Sequence, residues 1–153
     1  MNNSEKFSEI INFTEKLIDQ DLPDDDKLKK IADKVRNTLN YYNWVGFYKV
    51  RGEDHLILGV FSGEPTEHTD IKFGQGICGQ VAEKLEPLII DNVQTENNYL
   101  SCSPRVKSEI VVPVYKQGDF IAEIDVDSHF EKAFSREDQQ FLEKLAEKIH
   151  QLF

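Results

Sequence analysis

The hydrophobic period of the chain changes at Asn43, and this change limits the folds that the chain can adopt. Before that point, apolar residues recur every three or four positions, which predicts two amphipathic helices within residues 1–41. After it, the segments 44–50 (WVGFYKV) and 55–61 (HLILGVF) are rich in aromatic and β-branched residues. Two such segments joined by a short turn indicate an antiparallel β-hairpin.

The rest of the chain also places strands next to one another, without regular alternation of strand and helix. In order, we predict a short helix from Gly76 or Ile77 to about residue 85, a short strand at 88–90, an irregular loop at 92–107, and strands at 109–114 and 120–127. A final amphipathic helix follows Ser135, whose side chain and that of Asp138 have the spacing of a capping box.

This order of elements indicates an α+β fold, with a central antiparallel sheet flanked by N-terminal and C-terminal helices. We expect a single domain over residues 1–153. Its parts are the N-terminal helices at 1–41, the sheet and its loops at 43–128 and the C-terminal helix at 135–153.

Length and charge restrict the class of protein. The 153 residues suit one domain, and a net charge of −10 without a Lys/Arg patch argues against nucleic acid and anionic membranes as partners. A small ligand with a positive group suits this charge, although acidic residues also serve solubility alone. We find no signal peptide, no apolar run of membrane-spanning length and only two cysteines, so we expect a cytoplasmic protein.

A glycine-rich segment, residues 74–79 (GQGICG), matches the G-x-G-x-x-G pattern of dinucleotide-binding folds. The preceding stretch, 68–73, is too polar for a buried first strand, and the chain lacks the strand–helix alternation of such folds. We therefore interpret the glycines as a tight turn into a helix.

The two cysteines are candidates for thiol chemistry. Cys78 lies near the first turn of the predicted short helix, where the helix dipole favours a thiolate, although a buried structural role is equally consistent with its apolar neighbours. Cys102 lies in the predicted loop among small polar residues, close to Arg105 and Lys107. The cysteines are too far apart for a C-x-x-C motif, and the four histidines form no ligand-spaced set around them. We therefore expect no metal–thiolate site.

The predicted strand at 120–127 carries three acidic residues on one face. Because side chains alternate along a strand, Glu123, Asp125 and Asp127 point to the side opposite Ala122, Ile124 and Val126. An exposed face would tolerate this charge. A pocket would need a cation, either a ligand ammonium, a nearby Lys or Arg, or a divalent metal ion held by Asp125 and Asp127. Glu109, at the start of the preceding strand, could join this group.

Trp44, Gly46 and Tyr48 share one face of the first strand. The two aromatic rings could enclose a small ligand, with Gly46 leaving room between them. Alternatively, both rings belong to the core, as aromatic residues in strands usually do.

These motifs together resemble the free methionine-(R)-sulfoxide reductases, a family built on the GAF domain. The resemblance extends from Trp44 to the final helix. It rests on WVGFY at 44–48, FGQGICG at 73–79, Cys102 followed by KSEIVVPV at 107–114, and DVDS at 125–128. It implies a single GAF-like domain and thiol-dependent reduction of free L-methionine-(R)-sulfoxide.

The resemblance also implies residue roles. Cys102 matches the catalytic cysteine and Cys78 a second family cysteine. Trp44 and Tyr48 match the aromatic wall around the substrate's methyl group. The carboxylates that hold the substrate and assist proton transfer are matched by Glu109, Asp125 and Asp127.

For the reaction, the resemblance implies attack by the Cys102 thiolate, protonation of the departing oxygen by Glu109 or Asp127, a sulfenic acid, and a disulfide with Cys78. An external dithiol such as thioredoxin then resets the enzyme, with no bound cofactor, and a homodimer is expected. His68 stands where the family often has a further, resolving cysteine, and Glu123 stands where an apolar residue is usual. The alternative function is a non-catalytic GAF module that binds a small ligand.

Overall fold

The computed structural model describes residues 1–100 and 103–153. Its helices are α1 (Asn3–Ile18), α2 (Asp24–Thr38), α3 (Gly76–Lys84) and α4 (Arg136–Ile149), with short 3₁₀ turns at Val93–Thr95 and His150–Leu152. Its strands are β1 (Trp44–Arg51), β2 (His55–Ser62), β3 (Asp70–Lys72), β4 (Leu88–Ile90), β5 (Ser108–Lys116) and β6 (Asp119–Ser128). No helix in the described part of the chain combines the length and the apolar character that crossing a membrane requires.

The six strands form one antiparallel sheet in the order β3-β2-β1-β6-β5-β4. This confirms the predicted α+β fold and the predicted hairpins. Strand β3 was not predicted from the sequence, since its polar residues Asp70 and Lys72 are exposed and only Ile71 between them is buried. Such a pattern is compatible with a short strand at a sheet edge, which forms backbone hydrogen bonds with one neighbouring strand, here β2.

The two faces of the sheet bury different kinds of side chain. On one face, α1, α2 and α4 cover the main apolar core, to which β6 contributes Ala122, Ile124 and Val126. On the other face, α3 and the connecting loops cover a smaller cluster that includes Trp44 and Cys78. The alternation along β6 therefore points its three acidic residues towards this second, smaller cluster.

Asp138 ties α4 to the segment before β1. It is buried and accepts hydrogen bonds from the hydroxyls of Tyr41 (2.5 Å) and Tyr42 (2.9 Å), and from the backbone N–H and hydroxyl of Ser135. Burial, with Asp138 alongside, raises the pKa of Tyr42 well above its ordinary value. The capping box predicted for this helix is present, and its acidic member also positions the start of β1.

Gly46 lies beneath the indole ring of Trp44. A Cβ atom built at Gly46 would lie 2.2 Å from Cη2 of that ring, far inside van der Waals contact. The room that Gly46 leaves is therefore taken by Trp44 itself and not by space for a ligand. Gly46 thus fixes the orientation of the ring by letting it lie flat along β1.

We expect Gly46→Ala to lower the free energy of unfolding by about 1–3 kcal/mol, because the added methyl group must displace the indole or the strand. Trp44 is the single tryptophan of the chain, so its fluorescence reports the displacement directly. Gly59→Ala is the matched control in β2: its Cβ would lie 3.4 Å from the carbonyl oxygen of Phe47, an ordinary contact. Chemical denaturation and emission spectra of both variants measure the effect. Unchanged stability and emission in Gly46→Ala would contradict the placement of the ring.

Candidate active site

Four carboxyl groups lie together on the face of the sheet that α3 covers. Glu123, Asp125 and Asp127 of β6 are 0%, 2% and 1% exposed, and Glu109 of β5, paired with Asp127 in the ladder, is 6% exposed. The acidic side of β6 is therefore not a solvated face. Of the two interpretations that the sequence left open, the structure supports the pocket.

Burial leaves these carboxyl groups short of partners. Among the described residues, neither oxygen of Glu123 has a hydrogen-bond partner, and the same holds for Oδ1 of Asp125 and Oδ1 of Asp127. Loss of hydration raises the pKa of all three groups, and the charge of Asp125 raises the pKa of Glu123 and of Asp127 further. For Asp125, burial outweighs the opposing effect of contacts with Glu109 and Cys78. Such a site favours protonation or a bound cation.

Cys78 lies in the first turn of α3 and contacts this group. Its Sγ and one oxygen each of Glu109 and Asp125 all lie within 4.8 Å of one another. Burial first, and then the nearby carboxylates of Asp125, Glu123 and Glu109, raise the pKa of the Cys78 thiol well above its ordinary value. The helix dipole alone would lower this pKa, but here it is outweighed, so Cys78 is held as a neutral thiol.

Thiolate and carboxylate are both ligands that zinc accepts, so the same three atoms have the composition of a metal site. Spacing along the chain did not indicate this set, because α3, β5 and β6 bring the three residues together only in the fold. The divalent site considered from the sequence used Asp125 with Asp127, whereas the compact set pairs Asp125 with Cys78 and Glu109.

Trp44 and Tyr48 stand beside the carboxyl groups and anchor the loop that follows β2. The indole Nε1 of Trp44 donates a hydrogen bond to the carbonyl oxygen of Glu64 (2.9 Å). The hydroxyl of Tyr48 donates a hydrogen bond to the backbone carbonyl oxygen of His68 (2.8 Å). Both rings are buried, and Trp44 also stacks on Phe61. Both are therefore core residues, one of the two roles considered for them, and Tyr48 and Trp44 line two different cavities.

Described residues line at least two cavities on this face of the sheet. The first is only about 10 Å³ and is lined by Tyr48, His68, Ile71, Gly76, Ile77, Cys78, Leu100, Glu109 and Asp125. The second is about 150 Å³ and is lined by Arg36, Asn43, Trp44, Glu64, Ser103, Arg105, Val106, Asp127 and His129. Larger grooves of about 590 and 610 Å³ run along α1, away from these groups.

The structure brings together six of the seven residues singled out from the sequence, namely Trp44, Tyr48, Cys78, Glu109, Asp125 and Asp127. The seventh, Cys102, lies outside the described residues. The described residues before and after it, Leu100 and Ser103, line the first and the second cavity respectively. Sequence analysis did not identify Arg36 as a site residue, because its place in α2 gives no signal of its contact with the loops.

The chain is similar to known proteins over most of its length. The GAF domain family matches residues 25–151. The GAF domain-containing protein A of Dictyostelium discoideum is 36% identical over 118 residues, which is 77% of this chain and 73% of that protein. The free methionine-R-sulfoxide reductase of Saccharomyces cerevisiae is 39% identical over 111 residues, 71% of this chain and 61% of the yeast protein.

A solved structure supports the same family assignment. The free methionine-R-sulfoxide reductase of Neisseria meningitidis, solved in complex with its substrate, superposes with a TM-score of 0.91 at 29% identity and covers 100% of this chain and 91% of its own. The chain belongs to the GAF domain family, and its relatives within that family include the free methionine-R-sulfoxide reductases.

Proposed function

We propose that this protein is an oxidoreductase that reduces free L-methionine-(R)-sulfoxide to methionine by thiol chemistry. The observation that carries the proposal is the buried group of Cys78, Glu109 and Asp125 beside the wall of Trp44 and Tyr48. It occurs in a chain that is 39% identical to a protein named for this activity.

The carboxyl groups supply the reason for a free amino acid as substrate. Asp125 and Asp127 each keep one buried oxygen with no partner among the described residues, and an α-ammonium group offers the charge and the hydrogen-bond donors to satisfy them. A methionine sulfoxide residue within a protein has no such ammonium group. The substrate's methyl group would lie against Trp44 and Tyr48, whose rings provide an apolar surface.

Cys102 is proposed as the nucleophile. Its thiolate attacks the sulfoxide sulfur, and Glu109 or Asp127 gives a proton to the sulfoxide oxygen. Oxygen passes to sulfur of Cys102, which becomes a sulfenic acid, and methionine leaves. The sulfoxide gains two electrons and Cys102 loses two. Burial supports Asp127 as a proton carrier, because it raises the pKa of that carboxyl group.

Cys78 is proposed as the resolving thiol, since His68 occupies the place of the family's further cysteine. Its sulfur attacks the sulfenic sulfur of Cys102, a disulfide forms, and the Cys78 proton leaves with the hydroxyl as water. A thioredoxin-like dithiol then reduces the disulfide and is itself oxidised, so no bound cofactor is needed. We also propose a cytoplasmic homodimer, on the basis of the family resemblance and of the thiol chemistry, which suits a reducing compartment.

Methionine release from a mixture of the R and S epimers of free L-methionine sulfoxide, with dithiothreitol as reductant, tests this proposal. We expect the protein to consume only the R epimer. Cys102→Ser should lower the rate by more than about 10³-fold, because it removes the nucleophile. Cys78→Ser is the matched control: it keeps Cys102 and should still release about one methionine per protein in the first turnover. If wild-type protein releases no methionine, the chain is a GAF binding module and the reductase proposal is wrong.

Glu123 provides a test of how burial affects the carboxyl groups of this site. Its pKa is raised in the folded protein, so the native state keeps a proton that the unfolded chain loses near pH 4. Stability conferred by this group is complete below that pH and falls as the pH rises, by about 1.4 kcal/mol per pH unit for each such carboxyl group. We expect Glu123→Gln to flatten the dependence of unfolding free energy on pH between 5 and 8 and to stabilise the protein at pH 8.

Urea denaturation at a series of pH values measures this dependence. Glu53→Gln, at an exposed turn between β1 and β2, makes the same chemical change outside the site and should leave the slope as in the wild type. A Glu123→Gln variant whose slope equals that of the wild type would show that Glu123 does not carry a raised pKa.

A further inference from the structure

The 150 Å³ cavity at the end of β6 has negative charge inside and positive charge at its mouth. Asp127 lies in its wall, 1% exposed, with Oδ1 lacking a partner among the described residues. At the rim, the guanidinium of Arg36 donates through Nε to the carbonyl oxygen of Asn43 (3.0 Å), and Arg105 forms an ion pair with Glu64.

Arg36 and Arg105 both line this cavity. His129 also lines it, and burial together with the charges of Arg105 and Arg36 lowers the pKa of its imidazole. The charges of both arginines therefore affect the pKa of His129, although Arg36 lies in α2 and Arg105 lies in the loop before β5. Glu64 offsets part of the positive charge of Arg105, whereas Arg36 is bonded to a neutral carbonyl group.

We propose that this cavity holds the zwitterionic end of the free amino acid, with its ammonium group against Asp127 and its carboxylate on Arg36 and Arg105. The inference rests on the proposed function and deepens it, because it assigns the residues that would distinguish a free amino acid from a peptide. A guanidinium group can bind a carboxylate through two parallel N–H donors, and among the lining residues Arg36 and Arg105 carry such a group.

The size of the cavity agrees with this assignment. A cavity of about 150 Å³ accommodates a molecule the size of benzene, whereas drug-sized ligands occupy about 300 Å³ or more. A nucleotide or a folded peptide segment is thus too large, and the head of one amino acid is of the right scale. In a peptide chain, methionine sulfoxide lacks both of the charges that the cavity complements.

The register of β6 then directs the side chain of the substrate towards the thiol group. Asp127 pairs with Trp44 and Asp125 pairs with Gly46, so the walls continue from the cavity to the cluster of Cys78, Glu109 and Asp125. Two residues along a strand span roughly 6.6 Å, comparable to the reach of the methionine side chain from its α-carbon. With Asp127 engaged by the ammonium group, Glu109 is the carboxyl group left to protonate the sulfoxide oxygen.

The test compares two substrates in three proteins. L-methionine-(R)-sulfoxide carries the carboxylate, and the corresponding amide keeps the ammonium group but lacks the negative charge. We expect Arg36→Gln to lower kcat/KM about tenfold for the acid, mainly through KM, and to leave the amide nearly unaffected. Arg136→Gln makes the same charge change at an exposed position of α4 and should leave both substrates unaffected.

Two results would overturn the inference: an equal loss for acid and amide, which indicates a structural role, or no loss for the acid. If wild-type protein reduces neither substrate, the reductase proposal fails by itself. Calorimetry of L-methionine and L-methioninamide with the same three proteins then decides the binding inference without any turnover. Selective loss of L-methionine affinity in Arg36→Gln supports it, and equal affinities across the proteins exclude it.

Discussion

The burial of carboxyl groups on one face of β6 is the constraint on which the rest of the site depends. Glu123 and Asp125 are removed from water by α3 and the loops, and the described residues place no cation against them. Burial of this kind costs free energy unless a proton or a ligand neutralises it. The opposite side of the same strand belongs to the apolar core beneath α1, α2 and α4, which holds the strand in place. The main apolar packing is thus on one face of the sheet and the buried carboxyl groups are on the other.

The same charge determines the state of Cys78. A thiol at a helix N-terminus is usually more acidic than a free one, yet here burial and three carboxylates have the larger effect, and the pKa of this thiol is raised. A neutral, buried thiol is a poor nucleophile and a poor target for oxidants. Cys78 therefore suits the second step of the proposed reaction, after oxidation of another thiol, better than the first.

Most of the fold could be predicted from the sequence because period and turn residues are local properties. The alternation of Ala122, Ile124 and Val126 with acidic residues correctly placed the carboxylates on one face. It could not show whether that face is buried, since burial depends on α3 packing across the sheet from a distant part of the sequence. The edge strand β3 was missed for a related reason: only Ile71 in it faces the interior. Arg36 could not be predicted as a site residue from the sequence, because its place beside the cavity depends on tertiary structure alone.

Charge compensation connects the two cavities into a single mechanism. An ammonium group beside Asp127 and Asp125 would offset part of the negative charge on this face of β6. Once methionine leaves, the carboxylates again disfavour a thiolate, so in the proposed reaction the Cys78 proton leaves with the hydroxyl of the sulfenic acid as the disulfide forms. Asp125 links the two groups in space, because it contacts Cys78 and lies on the same face of β6 as Asp127. A simple cation would supply the charge without the carboxylate that Arg36 and Arg105 are placed to bind, so the arrangement favours a zwitterion over a metal ion.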